Sequence, residues 1–333
     1  MLPRWLNGGE ATPTRYLEIV ETVAREDASA GWVLSQTIVA GVAAFYLRPE
    51  IARTIFGPPD AVVAWGSAPN PVAATAVAGG YRVTGAWTFS SGCRHATWLG
   101  AHCAIAGTAE ERTLLFPKDS ARLTDMWHVL GLRATASDSY AVEDLFVPAD
   151  YTITSMYRWP GKEAAAALTA RFTATGLYAP GTAAVALGNA RGLLGAVVDL
   201  ARKKTPRTAA VPLRESEVVQ TTIAEADTRL AAARTHLYDT IRLCEAAAGR
   251  EGAVPLDLRM RSRAASTFAI LAAGDAVAAL YRLAGSTAIF EAEPFERRLR
   301  DAYTLSQQIQ SRANHYATVG RHLLGLDVDM RWI

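Results

Sequence analysis

Gly79-Gly80-Tyr81-Arg82-Val83-Thr84-Gly85-Ala86-Trp87-Thr88-Phe89-Ser90-Ser91-Gly92-Cys93 is the stretch whose reading decides the fold. Gly79-Gly80 reads as a hairpin turn, and the strand it opens runs straight into a turn of small hydroxylated residues. Further on, Trp127-His128-Val129-Leu130-Gly131-Leu132-Arg133 leads into a second small-polar turn, Ala134-Thr135-Ala136-Ser137-Asp138, expected between hydrophobic strands. Two such turns can bring backbone N–H groups and hydroxyls to the edge of a flat ring with a polar rim and apolar faces.

Outward from these turns the hydrophobic period changes twice. Before residue 58 it is helical: Thr14 to Arg25 and Ser29 to Phe45 repeat apolar residues every three and four positions, with Asp27 or Ser29 placed to cap the second helix. From 58 to 152 short strands are predicted at Ala61–Trp65, Ala74–Val77, Tyr81–Thr84, Trp98–Ile105 and Thr113–Phe116, and Leu145-Phe146-Val147-Pro148 closes the block. From about 160 the chain is helical again. Val219, Ile223, Ala226, Leu230, Ala233, Leu237, Ile241 and Cys244 form a bundle seam, and helices are expected near 179–204, 216–249, 257–285 and 294–324. The class is therefore α+β: an N-terminal helical segment (1–57), a central antiparallel β domain (58–152) and a C-terminal four-helix bundle (153–333).

The 333 residues, half of them hydrophobic, suffice for a large core. With 34 basic against 32 acidic residues, no surface for nucleic acid is indicated. Three cysteines without a CxxC and six scattered histidines make no metal pattern, and the odd cysteine count fits a reducing, cytoplasmic compartment. No signal peptide opens the chain. The apolar run Ala264–Ala284 contains Asp275 and reads as a helix buried between helices rather than a membrane span. No GxGxxG follows a strand, so no nicotinamide site is indicated.

A flavin is the flat ring that such turns suit, since its N1, O2, O4 and N5 need hydrogen bonds. The order helix, sheet, bundle resembles the acyl-CoA dehydrogenase fold, and within it the two-component (group D) flavin monooxygenases. Gly79 to Gly92, His95-Ala96-Thr97-Trp98, Trp127 to Arg133, Val147-Pro148, Arg297, Arg300-Asp301-Ala302 and Gly320-Arg321-His322-Leu323-Leu324-Gly325 carry the resemblance. It covers nearly the whole chain, beginning some tens of residues inside the usual N-terminal helical domain. It implies reduced flavin (FADH2 or FMNH2) bound between β domain and bundle, a separate flavin reductase, a homotetramer, and oxygenation of a bulky, largely apolar small molecule. The helices around Ala164–Leu200 and Trp32–Tyr46 would wall off water.

On this resemblance Ser91 is the leading catalytic candidate, at flavin N5 or O4, with Ser90 beside it. Trp87 and Phe89 either wall the ring or fill the core. Thr135 and Ser137 either bind the pyrimidine end or cap their own turn. Arg207, with Arg202-Lys203-Lys204, either meets a flavin phosphate from a neighbouring subunit or only ends a helix. Relatives carry histidines where Ala40 and Gln308 stand. Gln308, seven residues past Asp301, would share its helix face and offer an amide, or else be a solvated position. A desaturase would need a carboxylate base, and Gly285-Ser286-Thr287-Ala288-Ile289-Phe290 offers none before Glu291. A flavin scaffold without net redox activity is the remaining alternative.

Overall fold

The computed structural model describes residues 1–154, 167–207, 209–330 and 333. Ala164 to Ala166, the start of one expected water-excluding wall, lie outside the described residues. Three helices lead: α1 (Pro13–Glu26), α2 (Ala28–Ala40) and α3 (Pro49–Phe56). Thr12 Oγ1 accepts the Arg15 N–H, with Pro13 at the first helical position, and Asp27 Oδ1 accepts the Ala30 N–H. Asp27 is thus the cap of α2, and Ser29 is buried inside it. After Ala40 the helix tightens into a 3-10 segment, Gly41–Tyr46.

The sheet contains β1 (Val63–Trp65), β2 (Ala73–Val77), β3 (Gly80–Ser90), β4 (Trp98–Ile105), β5 (Glu111–Pro117), β6 (Arg122–Thr124), β7 (Asp138–Pro148) and β8 (Thr152–Thr154). Its order is β6-β7-β3-β2-β4-β5-β8, with β1 also on β4. The expectation of an antiparallel domain needs correction at one place. Both β1 and β2 run parallel to β4, β1 along Trp98–Gly100 and β2 at Ala104–Ile105, so the sheet is mixed. Side chains supply hydrogen bonds in the gap between them. Tyr140 Oη donates to the Gly100 carbonyl (2.5 Å), and Trp87 Nε1 donates to the His102 carbonyl (3.1 Å). The two rings stack 5.5 Å apart and are fully buried.

The bundle is built from α4 (Ala174–Lys203), α5 (Glu217–Glu251), α6 (Leu256–Ala284), α7 (Pro294–Ser306) and α8 (His315–Leu323). The long helix expected over 294–324 is two helices. Gln308 has extended backbone (φ −69°, ψ 146°), its Oε1 accepts the Gln310 N–H, and Ser311 Oγ donates to the Leu305 carbonyl. Polar side chains thus compete with the helical ladder and turn the chain. One apolar core joins α1–α3 to the bundle and a second fills the sheet. Three helical stretches, 28–46, 174–203 and 256–289, are long and apolar enough to cross a membrane, yet 56–61% of the apolar 18-residue segment in each is buried inside the protein.

Candidate active site

The two turns meet where the sheet touches α2 and α7. Along β3 the side chains alternate until Trp87, which points into the sheet core. Between Trp87 and Ser90 the pairing with β7 shifts register, and Phe89 takes a left-handed backbone (φ +59°). This bulge turns Phe89 outward, 65% exposed, while burying Ser90 and Ser91. Gly92 follows at φ +77°, and its N–H donates to the Thr135 carbonyl (2.9 Å), fastening turn to turn.

Residues 127–132, expected as a strand, are irregular, because side chains take their backbone groups. Asp138 Oδ1 accepts the Met126 and Trp127 N–H groups (3.1 and 3.2 Å), while its Oδ2 accepts from Arg94 Nε (2.6 Å). Asp301 Oδ1 accepts the Leu132 N–H (2.6 Å), and Arg300 Nη1 donates to the Leu130 carbonyl (2.8 Å). A Cβ on Gly131 would lie 2.2 Å from the Arg300 carbonyl oxygen, so only glycine permits this approach to α7. Arg300 also pairs with Glu296 one turn back, a helix-fixing contact.

Inside the seam lies a line of buried groups. Trp32 Nε1 donates to Ser91 Oγ (2.8 Å); Ser91 Oγ lies 2.7 Å from Ser137 Oγ; Ser137 Oγ lies 2.7 Å from Thr135 Oγ1; and Thr135 Oγ1 donates to the Leu132 carbonyl (2.8 Å). Above it sit apolar groups. Phe89 meets Trp127 edge to face at 5.8 Å, and Met126 and Leu130 are exposed beside them. Trp127 Nε1 donates to the same Leu132 carbonyl (2.9 Å). Buried hydroxyls, joined at the Leu132 carbonyl to a pair of aromatic side chains, match the needs of an isoalloxazine, whose heteroatoms lie on one rim. The donor set fits a flavin.

Of the residues singled out from the sequence, Ser91, Ser137, Thr135 and Phe89 come together here. Trp87 does not: it is fully buried against Tyr140 and lines no surface, because the bulge that follows it turns Phe89 off the face that strand alternation would make the two share. Ser90 is likewise buried, and its hydroxyl has no hydrogen-bond partner among the described residues. Gln308 is half-buried beyond the end of α7, so it does not share a helix face with Asp301, and its side-chain oxygen caps the next turn. Arg207 is exposed on the link after α4. That link begins about 21 Å along the helix from Asn189, whose side-chain amide donates to the Arg298 carbonyl of α7 beside the seam. Ala40 is buried at the end of α2. Glu291 is exposed, and Gly285–Ile289 is a 3-10 segment without an acid, which leaves a desaturase without its base. Among the described residues no group of histidines, cysteines and acids could hold a metal.

Sequence reasoning missed four contributors: Trp32, Trp127, Asp138 and the Asp301 clamp. Only Asp138 was within reach, as an acid closing a turn next to Arg94 in the same seam. The links of Trp32 to Ser91 and of Leu132 to Asp301 cross 59 and 169 residues, and Trp127, though bonded to Leu132 in its own segment, meets Phe89 only through the fold.

Comparison with known proteins accounts for this geometry. Residues 181–312 match the family model for the acyl-CoA dehydrogenase C-terminal domain. Over 315 residues the chain is 30% identical to the flavin-dependent monooxygenase oxygenase subunit HsaA of Rhodococcus jostii, covering 90% of this chain and 81% of that one. The chain belongs to the flavin-dependent monooxygenases of the acyl-CoA dehydrogenase fold. This monooxygenase is also 29% identical over 314 residues to the indole-3-acetate monooxygenase of Pseudomonas putida, covering 92% of this chain and 78% of that one. The crystal structure of the 3-HSA hydroxylase from Rhodococcus sp. RHA1 superposes with a TM-score of 0.92 at 27% identity, over 100% of this chain and 88% of that one. The monooxygenase is thus an oxidoreductase that uses reduced flavin.

Proposed function

We propose that this monooxygenase transfers one oxygen atom from O2 to a bulky, largely apolar aromatic molecule, with reduced flavin lying across the seam of the two turns. The observation that carries the reading is the buried hydroxyl line beneath the Phe89–Trp127 pair. Reduced flavin, when bound, would supply the two electrons that activate O2, one atom of which goes to the substrate and the other to water. Everything else is the task of the chain's own residues. Ser91 Oγ meets the flavin edge at N5, held by Trp32 and Ser137. Thr135 and Ser137 keep that edge fixed, and Phe89 with Trp127 covers an apolar face against water.

The substrate class follows from the exposed apolar side chains of Phe89, Met126 and Leu130 around the half-buried Trp127, and from the aromatic compounds in the relatives' names. A separate reductase supplies the flavin, since the chain offers no nicotinamide motif and its relative is named an oxygenase subunit. We assign Arg207 to a flavin phosphate across a subunit boundary in a homotetramer, because it lies too far along the bundle to reach the seam of its own chain. The long apolar helices are read as bundle helices of a cytoplasmic protein, in keeping with their burial.

The test is Ser91→Ala, assayed with a flavin reductase, FMN or FAD, and indole-type and phenolic substrates. Oxygen consumption should persist while released hydrogen peroxide per oxygen rises at least several-fold. Unchanged coupling together with unchanged flavin affinity would remove Ser91 from the site.

A further inference from the structure

We propose that the end of the bundle where α4 and α6 begin and α5 finishes holds a binding site for a small organic carboxylate, separate from the seam of the two turns. A cavity of about 70 Å³ lies there, and none of the residues that line it belongs to the seam. Three guanidinium groups reach it, those of Arg171, Arg259 and Arg263, and among the described residues no acidic side chain lines it. Arg171 Nη1 donates to the Ala248 and Gly249 carbonyls (3.0 and 3.2 Å) at the end of α5, and Arg263 Nη1 donates to Gln310 Oε1 (2.7 Å). Such acceptors aim a guanidinium without neutralising it. Arg259 Nη2 donates to the main-chain oxygen of Ile333 (2.5 Å). A carboxylate at Ile333 would still leave three cations to one anion among the described residues. Burial accordingly lowers Arg259 and brings Arg263 down to about 10.

Two polar atoms of the lining are left over. Thr175 is 1% exposed, and its Oγ1 has no hydrogen-bond partner among the described residues; the same is true of Arg259 Nε. Thr182, further along the helix, shows what is missing: its Oγ1 donates to the Tyr178 carbonyl one turn back (2.9 Å). Thr175 sits in the first turn of α4, where no carbonyl of the helix precedes it by a turn. That first turn, through Thr173, Thr175 and Gly176, also brings the positive end of the helix dipole to the cavity. The donors converge on the place of an acceptor that carries negative charge.

Size and lining narrow the class. A dry cavity of about 150 Å³ accepts benzene. This one, half as large, excludes the aromatic molecules proposed above and takes roughly five non-hydrogen atoms. Phe172, Ala179, Cys244 and Val254 make part of its wall apolar. An inorganic oxyanion loses water against those groups for no return, whereas a short alkyl carboxylate sets its oxygens among the guanidiniums and its methylenes against the apolar wall.

The test is isothermal titration calorimetry of the purified full chain with sodium propionate, at constant ionic strength made up with sodium chloride, beside propionamide and inorganic phosphate. Propionate should bind at one site with a dissociation constant in the millimolar range or below, phosphate more weakly, and propionamide not at all. Thr175→Val keeps the shape and removes the hydroxyl, so propionate affinity should fall about 10-fold; Thr175→Ser should restore it. Arg259→Met should weaken propionate at least as much. Reduced-flavin affinity in anaerobic titration should stay at the wild-type value in all three variants, which separates this site from the seam. If propionate gives no more heat than chloride, or if Thr175→Val and Arg259→Met both bind it as the wild type does, the site is refuted. Phosphate binding more tightly than propionate would overturn the carboxylate assignment.

Discussion

The two turns that meet at the seam are held by opposite means. The turn Phe89–Cys93 holds itself: a bulge, two left-handed residues and a short bond from the Cys93 N–H to the Ser90 carbonyl fix its shape. The turn Gly131–Ser137 is held from outside, by Asp301 and Arg300 of α7, by the indole of Trp127 and by Asp138. Local geometry survives changes elsewhere, whereas a borrowed geometry follows the element that lends it. The second turn, and with it half of the hydroxyl line, is therefore coupled to the position of a bundle helix.

Gly131→Ala is the strongest way to break that coupling. The new Cβ would press on main-chain atoms, the Arg300 oxygen at 2.2 Å and the Asp301 nitrogen at 2.6 Å, which cannot swing aside. A stability loss of about 3 kcal/mol is expected in chemical denaturation, together with loss of reduced-flavin binding in anaerobic titration. An unchanged denaturation midpoint would show that the turn does not lean on α7.

The same contrast explains what could be read beforehand. The first turn was legible because its cause lies within its own residues: Gly79-Gly80 opens the strand, and Ser91-Gly92 ends it. The alternation of helix, sheet and bundle was legible from period alone. The broken last helix was not, because a side-chain cap from Gln308 outcompeted a pattern that still looked helical. Trp32 was read only as part of an apolar wall, since nothing near it in the chain reveals that its N–H ends on a serine of the sheet.

The two carboxylates that clamp the second turn allow a sharper test, because their proton affinities shift in opposite directions. Burial pushes Asp138 up, but the Arg94 guanidinium and the two backbone N–H donors outweigh it and hold its carboxyl below 3.8. Its stabilisation is present above that value and is lost as pH falls through the lowered one. Burial raises Asp301, so the folded chain holds that proton more tightly. Its stabilisation is complete below 3.8 and is lost as pH rises through the raised value. Asp138→Asn should cost about 2 kcal/mol at neutral pH and flatten the acid limb of a stability-versus-pH curve, while Asp301→Asn should flatten the loss on the rising side. Both variants following the wild-type curve would refute this division.

Gln308→Ala marks the small end of the scale. It removes a cap from a half-exposed turn, so a loss below about 1 kcal/mol is expected, with oxygen consumption and coupling unchanged under steady-state assay. A large fall in coupling would bring this residue to the reacting groups and show that the turn after α7 serves the site as well.

The gap between β1 and β2 on the edge of β4 has its own consequence. There the continuity of the sheet runs through an indole and a phenol, so Trp87 and Tyr140 act as rungs as well as filling. Tyr140→Phe would keep nearly all the volume and strand the Gly100 carbonyl, whereas Trp87→Phe would strand the His102 carbonyl and open a cavity as well. The defect would register as a locally loosened ladder, visible in faster amide exchange around Gly100–Cys103, two strands away from the turn that ends β3.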